Sequence, residues 1–241
     1  MRLLEAKAIS KSFRGLKAVQ AASFEVAQGA IVALIGPNGA GKTTCFNMIA
    51  GVFAPDSGKV LFENKEIQGM RPDQVCAAGI GRTFQIVKPF AGLSVLDNVI
   101  VGALHRERNL SSARIFSLKI LEKLELEEKR DLPASALTLP DRKRLEVARA
   151  LATHPRLLLL DEVMAGLLPT ECDLMVEAFR ELKRTDGLTI LLIEHVMRAV
   201  MALAQAVVVL HHGEIIARGT PAEVVRDAAV LECYLGEETE V

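Results

Sequence analysis

The chain has 241 residues, of which 50% are hydrophobic, so it can bury a full core and is not a disordered or fibrous protein. With 29 basic and 30 acidic residues the formal net charge is −1, so no overall field attracts nucleic acid or an anionic membrane surface, and we expect no nucleic-acid partner. The cysteines are widely scattered and form no C-x-x-C pair, which predicts buried free thiols in a reducing compartment rather than disulfides or zinc ligands. They are Cys45, Cys76, Cys172 and Cys233.

Neither the N-terminus nor the most apolar stretch has the features of a membrane segment. Residues 1–7 include charges too early for the apolar region of a secretory signal. The stretch 196–210 contains Arg198 and Gln205 and is shorter than the roughly 20 residues that a spanning helix needs. We therefore expect any membrane association to be made through a partner.

The first third of the chain alternates short strands with turns. Apolar runs and turn residues predict strands over 3–10, 22–27, 31–35 and 59–63, with a turn at 54–58 and a hairpin tip at Asn64-Lys65. A helix is predicted over 43–50, ended by Gly51, and a shorter helix over 71–78.

The middle of the chain, from about residue 87 to 154, has a helical pattern. Apolar residues at spacings of three and four predict helices over 95–103, 118–126 and 141–153. Strands are then predicted over 157–160, 189–193 and 206–210, separated by helices over 171–184 and 197–203. Because these strands are apolar on both faces, we expect a parallel sheet covered by helices, that is, an α/β core with a helical insertion.

Residues 36–43 match the phosphate-binding pattern G-x-x-x-x-G-K-[ST] at every fixed position and follow the predicted strand 31–35. Its glycines allow backbone N–H groups to converge on a phosphate chain, and the helix that starts near Gly41 adds its positive dipole end. Lys42 is predicted to bind the β- and γ-phosphates of ATP, and the Thr43 hydroxyl to bind Mg²⁺. The predicted nucleotide-binding residues of this segment are Gly36, Pro37, Asn38, Gly39, Ala40, Gly41, Lys42, Thr43 and Thr44.

The apolar strand over 157–160 leads directly into two carboxylates, Asp161 and Glu162. An aspartate at a strand tip can hold Mg²⁺, which prefers oxygen ligands. Glu162 is predicted to polarise the water that attacks the γ-phosphorus. The alternative is that the pair only caps the following helix.

Four further features carry a resemblance, namely Phe13, Gln85, the predicted helix start near Leu137 and His195. They occur in the order and approximate spacing found in ABC-transporter ATPase subunits, and the chain resembles that family over its whole length. The resemblance implies that Phe13 stacks on adenine, although a core aromatic is the alternative. It also implies that Gln85 contacts the metal and water and couples to the membrane partner, and that His195 contacts the γ-phosphate. It predicts one ABC ATPase domain over 1–241 with a P-loop NTPase (RecA-like) core, an N-terminal antiparallel β subdomain and an inserted α-helical subdomain. The core with its β subdomain would comprise 1–86 and 156–241, and the helical subdomain 87–155.

Within the family, the run Arg82-Thr83-Phe84-Gln85 and the segment 93–99 resemble the ATPase subunits of bacterial branched-chain amino acid importers. Such a protein would hydrolyse ATP with Mg²⁺ at the cytoplasmic face of the inner membrane. Its implied partners are a second ATPase subunit, non-identical or identical, two transmembrane permease subunits and, indirectly, a periplasmic or lipid-anchored binding protein. The alternatives are the ATPase of a lipopolysaccharide-type exporter and a nucleotide-binding regulatory subunit that does not hydrolyse ATP.

The chain departs from the family at two surfaces that the resemblance places against the opposite ATPase subunit. The loop that usually reads Leu-Ser-Gly-Gly-Gln, the C-loop, is here 137–141, and the resemblance implies that in an ATP-bound dimer it closes on the γ-phosphate held by the other subunit's P-loop. Thr138 keeps the hydroxyl that would bind this nucleotide, whereas Pro140 lacks an N–H. Arg142, Lys143 and Arg144 are expected to offset the charge of Asp141, and the alternative is that Thr138 and Asp141 only cap a helix.

The second departure follows Glu162, where Val163-Met164 replace the usual Pro-Thr and Leu168 replaces a polar residue. From the two departures we derive the hypothesis that the site on this chain's own P-loop hydrolyses ATP, whereas the site that the chain completes for its partner is weaker.

Overall fold

The structure is a computed structural model that describes residues 1–86 and 88–235. Residue 87, where the predicted helical subdomain begins, and residues 236–241 lie outside the described residues. In chain order the first elements are β1 (Arg2–Phe13), β2 (Leu16–Ala27), β3 (Ile31–Ile35), α1 (Lys42–Ile49), β4 (Ser57–Phe62), β5 (Lys65–Glu66) and α2 (Pro72–Ala78). They are followed by β6 (Ile80–Arg82), α3 (Val95–Ala103), α4 (Leu110–Lys123), α5 (Leu139–Leu151), β7 (Leu157–Asp161) and α6 (Pro169–Asp186). The last are β8 (Thr189–Ile193), α7 (Met197–Leu203), β9 (Ala206–His211), β10 (Glu214–Gly219), α8 (Pro221–Val224) and α9 (Ala228–Leu235).

Contacts divide the chain into two compact units, and the chain leaves the first unit within α2 and returns to it at β8. The first unit comprises Met1–Val75 and the residues from Thr189 onward, and the second comprises Cys76–Leu188. The predicted subdomain boundaries remain a prediction. Within the described residues, no helix combines the length and apolar character needed to cross a bilayer.

The first unit contains an antiparallel sheet and a mainly parallel strand set. The antiparallel sheet has the order β2-β1-β4-β5. In the other set β3 pairs in parallel with both β8 and β9, and β10 pairs antiparallel with β9. Every residue of β3 and β8 is buried, as expected for central strands covered on both faces. The pairing of Leu34 with Ile193 places the carboxyl ends of β3 and β8 at the same edge.

The second unit combines the parallel pair β6–β7 with helices α3 to α6. Helix α3 starts at a serine cap, since Ser94 Oγ accepts a hydrogen bond from Asp97 N at 3.0 Å. Helix α6 has Pro169 in its first turn and ends at Gly187, whose φ of 63° is the left-handed conformation that glycine adopts readily. These local signals explain where the two helices begin or end.

The structure confirms most predicted elements and corrects several boundaries. Strands β3 and β8 and helices α3 and α7 match the prediction, whereas β1 and β2 extend further because they form one long hairpin. The hairpin tip is Glu63-Asn64, with φ of 50° and 63°, and Lys65 already belongs to β5. Helix α4 begins eight residues earlier than predicted, at Leu110, because Asn109 caps it through Ser112 N at 2.9 Å. Strands β6 and β10 and helices α8 and α9 were not predicted.

The cysteines are thiols rather than disulfides, as predicted, but not all are buried. Cys45, Cys172 and Cys233 are buried, whereas Cys76 is partly exposed in the short helix α2. The prediction of burial was therefore wrong for Cys76, since a seven-residue helix with Val75 as its buried residue covers little surface.

Candidate functional site

The predicted P-loop connects the buried strand β3 to helix α1 and depends on three glycines with positive φ, namely Gly36 at 146°, Gly39 at 77° and Gly41 at 103°. A Cβ atom on Gly36 would lie 1.9 Å from the carbonyl oxygen of Leu210 in β9. A Cβ atom on Gly41 would lie 2.3 Å from the carbonyl oxygen of Ala18 in β2. The loop therefore passes so close to neighbouring main chain that only glycine fits at these two positions.

Lys42 turns back over this loop. Its side chain is 5% exposed, and Nζ donates hydrogen bonds to the carbonyl oxygens of Gly36 and Pro37, each at 2.7 Å. The N-cap of α1 is Gly41, so the first turn of that helix begins at a residue with no side chain of its own. A tight glycine loop, a nearly buried ammonium group and a helix N-terminus together fit a phosphate chain.

His195 and Phe13 are the other predicted site residues of the first unit. His195 is exposed in the segment between β8 and α7, just beyond the carboxyl end of β8. Because β3 and β8 are parallel neighbours, His195 and the P-loop follow strands that end at the same edge. Phe13 ends β1, is 43% exposed and makes an edge-to-face contact with Phe53 at 5.3 Å between ring centroids. Neither the role of Phe13 at adenine nor that of His195 at the γ-phosphate is tested by this geometry.

In the second unit Asp161 ends the buried strand β7 and forms an ion pair with a residue of β6. Arg82 Nη2 lies 2.9 Å from Asp161 Oδ2, and the two side chains are 12% and 2% exposed. Thr83 binds the same strand end twice, since its N donates to Leu159 O at 2.9 Å and its Oγ1 accepts from Asp161 N at 3.1 Å. The Asp161 carboxylate is thus paired with the guanidinium group of Arg82.

Glu162 and Gln85 contact each other directly. Gln85 Nε2 donates a hydrogen bond to Glu162 Oε2 at 2.7 Å. The main chain of Glu162 has a φ of 51°, which is unfavourable for a residue with a Cβ, and its carbonyl oxygen accepts a hydrogen bond from Lys143 Nζ at 3.0 Å. The second unit therefore brings together three predicted residues, Gln85, Asp161 and Glu162.

The residues proposed for Mg²⁺ offer the oxygen atoms that this ion prefers, namely the Asp161 carboxylate, the exposed Thr43 hydroxyl and the Gln85 amide. Asp161 already pairs with a cation, Arg82, so its surroundings accommodate a positively charged partner. Among residues 1–86 and 88–235, no cluster of three or more His, Cys, Asp or Glu side chains forms a ready-made metal site.

The C-loop residue Thr138 is the N-cap of α5, and its hydroxyl donates to Asp141 Oδ2 at 2.8 Å. Asp141 forms its ion pair with Lys129, at 2.6 Å, a partner that was not predicted; of the three residues expected to offset the charge of Asp141, Arg144 contributes. Burial opposes ionisation of Asp141, but hydrogen bonds from Lys129 and Thr138 and the charges of Lys129 and Arg144 lower its pKa overall. Thr138 therefore occupies the N-cap position, but its side chain binds the Asp141 carboxylate and makes no capping hydrogen bond to the main chain of α5.

Sequence reasoning missed Arg82, Lys143, Glu146 and Arg149, which are all partly or almost completely buried. Arg82 lies in the same Arg-Thr-Phe-Gln run as Gln85, and that run is the sequence signal that points to it. The charged residues of α5 resemble a solvated helix face in the sequence, and no spacing rule shows that three of them, Asp141, Lys143 and Glu146, are buried. Taken together, the glycine loop with Lys42 and the strand ending in Asp161-Glu162 define a P-loop nucleotide-binding protein.

Comparisons with known proteins identify the family within this class. The family model described as ABC transporter matches residues 19–165, and the model described as branched-chain amino acid ATP-binding cassette transporter matches residues 214–240. Because the first match covers more than half of the chain, the chain belongs to the ABC transporter family of ATP-binding proteins, and it is an ATPase. The family predicted from Phe13, Gln85 and His195 is confirmed.

Three relatives match this chain over nearly its whole length. The chain is 37% identical to the high-affinity branched-chain amino acid transport ATP-binding protein LivG of Escherichia coli (strain K12), over 98% of each chain. It is 35% identical to the corresponding protein BraF of Pseudomonas aeruginosa, again over 98% of each chain. The lipopolysaccharide export system ATP-binding protein LptB of Escherichia coli (strain K12) is 34% identical over 99% of each chain.

Solved structures agree with the predicted fold class. A nucleotide-free ATP-binding cassette from an ABC transporter shares 33% identity and a TM-score of 0.88, over 97% of this chain and 99% of that chain. A cassette in its ADP conformation shares 33% identity and a TM-score of 0.88, over 98% of this chain and 99% of that chain. The predicted P-loop NTPase fold is therefore confirmed, and nucleotide is its ligand.

Proposed function

We propose that this chain is the ATP-hydrolysing subunit of an importer for branched-chain amino acids. The observation that carries the proposal is the match of residues 214–240 to the branched-chain family model, at the end of a chain that resembles LivG and BraF over its whole length. The proposed substrate class comes from the names of those relatives, whereas the site residues themselves support ATP binding and hydrolysis.

In this proposal the P-loop amides and Lys42 bind the triphosphate and neutralise charge that develops during phosphoryl transfer. The Lys42 ammonium, now on two carbonyl oxygens of the loop, is close enough to exchange those neutral acceptors for phosphate oxygens. Such bonds are stronger because the acceptor is charged. Phe13 would stack on adenine and His195 would contact the γ-phosphate.

Asp161, Thr43 and Gln85 are the proposed residues that hold Mg²⁺, which when bound would neutralise phosphate charge. Glu162 orients the attacking water and accepts its proton. An ionised carboxylate has several acceptor sites, so Glu162 can accept a hydrogen bond from water in addition to the one from Gln85. The close Gln85–Glu162 contact is thus proposed to orient the carboxylate toward that water.

The proposed partners are two permease subunits, a second ATPase subunit and, through the permeases, an external binding protein. The proposed location is the cytoplasmic face of the bacterial inner membrane. The similarity to LptB supports a second candidate, the ATPase of a lipopolysaccharide-type exporter.

The test is to purify the chain with the permeases encoded beside it, insert the complex into vesicles and measure ATP-dependent uptake of radiolabelled leucine. We expect uptake that is saturable, competed by isoleucine and valine, and lost with Glu162→Gln. Release of lipopolysaccharide without leucine uptake would favour the second candidate. Nucleotide binding without phosphate release in the full complex would favour the non-hydrolysing alternative.

A further inference from the structure

Helix α5 carries three charged residues at a spacing of three, Lys143, Glu146 and Arg149, which places them along one side of the helix. Lys143 is 5% exposed and Glu146 is 4% exposed, although lysine and glutamate are rarely buried without a partner. Their partners lie in two short segments, one next to Gln85 and the other at Glu162. This side of α5 is therefore a buried contact surface and not a solvated helix face.

Lys143 binds the turn that presents Glu162. Its Nζ donates to the carbonyl oxygen of Glu162 at 3.0 Å. The left-handed φ of 51° at Glu162 is a strained conformation that persists only where neighbouring groups hold it. Lys143 is one such group, because its bond fixes the direction of the peptide that follows Glu162.

Glu146 and Arg149 bind the segment that contains Gln85. The Glu146 carboxylate accepts a hydrogen bond from the N–H of Phe84, the residue before Gln85, and burial raises its pKa. Arg149 Nη1 binds that carboxylate at 3.0 Å and donates to Lys88 O at 3.2 Å. The guanidinium of Arg149 also lies 4.9 Å from the ring centroid of Phe90. Main-chain groups before and after Gln85 are therefore tied to one helix.

The two sets of contacts meet at the hydrogen bond of 2.7 Å between Gln85 and Glu162. Helix α5 binds the main chain beside each member of this pair. We propose that Lys143 and Glu146, supported by Arg149, are positioning residues that set the distance between Gln85 and Glu162 and so the orientation of the Glu162 carboxylate. The inference rests on the proposed role of Glu162 in hydrolysis.

The test compares variants of the chain in the full transporter complex. Lys143→Met removes the donor and keeps the length of the side chain, whereas Lys143→Arg keeps a donor. We expect Lys143→Met to lower kcat between about tenfold and 100-fold, since small displacements of a reacting group have effects of this size, with the KM for ATP within about twofold of the wild type. Lys143→Arg should restore at least about half of the lost kcat, a rescue that tests the donor itself.

The matched control is Lys123→Met, the same substitution in helix α4 of the same unit. Lys123 binds Asp186 at 2.6 Å, and neither residue touches Gln85 or Glu162 among the described contacts. We expect wild-type kcat and KM from this variant. If Lys123→Met lowers kcat as much as Lys143→Met does, the loss does not depend on the contact with Glu162 and the proposal is wrong.

A spectroscopic measurement tests Glu146 without relying on turnover. The chain contains no tryptophan, and Ile86, one residue after Gln85, is 69% exposed, so Ile86→Trp introduces a unique fluorophore beside the pair. We expect Glu146→Leu, but not Lys123→Met, to lower the emission anisotropy of this fluorophore in the nucleotide-free chain.

A second glutamate variant covers the case in which Lys143→Met does not fold. Glu146→Gln preserves the shape of the side chain and should lower kcat at unchanged KM, because its neutral amide holds Phe84 and Arg149 less strongly. Wild-type kcat in both Glu146→Gln and any folded Lys143→Met would overturn the inference. Failure of the wild-type complex to hydrolyse ATP would instead overturn the proposed function.

Discussion

Arg82 and Asp161 form an ion pair that is almost completely withdrawn from water, with 2.9 Å between Nη2 and Oδ2. Removing the cation of such a pair costs about 3–5 kcal/mol, because the remaining charge stays in a poorly solvated place. Arg82→Met should therefore lower the free energy of unfolding by about that amount. Urea titration followed by far-ultraviolet circular dichroism measures it.

The control is Arg71→Met, which removes an arginine from an exposed pair with Asp73 at 2.8 Å. Those side chains are 72% and 65% exposed, so water screens the pair and the expected loss is much smaller than that of Arg82→Met. Equal shifts of the two unfolding midpoints would contradict the importance of burial at Arg82.

Lys42→Met should remove tight nucleotide binding. Each charge-assisted hydrogen bond from the ammonium to a phosphate is worth about 1.5–3 kcal/mol, so we expect at least about a 100-fold lower affinity for ATP. Isothermal calorimetry on the folded chain measures this. Lys59→Met, a change at an exposed lysine paired with Glu66, should leave the affinity unaltered. Retention of wild-type affinity by Lys42→Met would show that this loop is not the phosphate site.

Gly36→Ala tests the packing of the P-loop through stability. The new Cβ would meet Leu210 O at 1.9 Å in a main chain with φ of 146°, so a backbone must move. We expect a loss of at least about 2 kcal/mol. Gly29→Ala has a φ of 72° but open space around the Cβ, and should cost only the strain of about 1–2 kcal/mol. A Gly36→Ala protein as stable as Gly29→Ala would indicate that the loop relaxes freely.

The buried strands and the P-loop were predictable from the sequence because each depends on a local pattern. An apolar run such as β3 is stable only when it is buried in a core, and the glycine spacing of the following loop is typical of phosphate binding. The extent of β1 depends instead on its pairing with β2, and the existence of β6 on its pairing with the distant strand β7, and no apolar pattern within β1 or β6 reports either. The buried state of Lys143 and Glu146 likewise depends on contacts with Phe84 and Glu162, which lie far from them in sequence.

The thiols should differ sharply in reactivity. Burial raises the pKa of Cys45 to about 12, so at pH 8 only about one Cys45 in 10,000 is the reactive thiolate. We expect iodoacetamide to modify Cys76, which is partly exposed, and to leave Cys45 unmodified in the native chain. Peptide mass spectrometry after a short reaction at pH 8 identifies the labelled residue. Cys45 should react at the normal rate only after unfolding, and rapid native labelling of Cys45 would contradict its burial.

The contacts of Thr138 lead to the last prediction, which concerns unequal catalytic sites in a dimer of ATPase subunits. The Thr138 hydroxyl donates a hydrogen bond to Asp141 Oδ2 at 2.8 Å, and Asp141 also binds Lys129 at 2.6 Å. A hydroxyl held in its own helix start is less available to a nucleotide on another subunit. Leu168, which is 63% exposed, offers no polar group at the second departure from the family pattern.

We therefore expect the site on this chain's P-loop to carry most of the turnover when a partner supplies an intact C-loop. In a complex with a non-identical partner, Glu162→Gln should bind ATP and remove nearly all phosphate release, because the amide cannot accept the proton of the attacking water. The equivalent change in the partner should remove much less. Steady-state phosphate release from the two single variants and the double variant measures the difference. Equal losses from the two single variants would reject the asymmetry while leaving the role of Glu162 intact, and normal turnover with Glu162→Gln would reject that role.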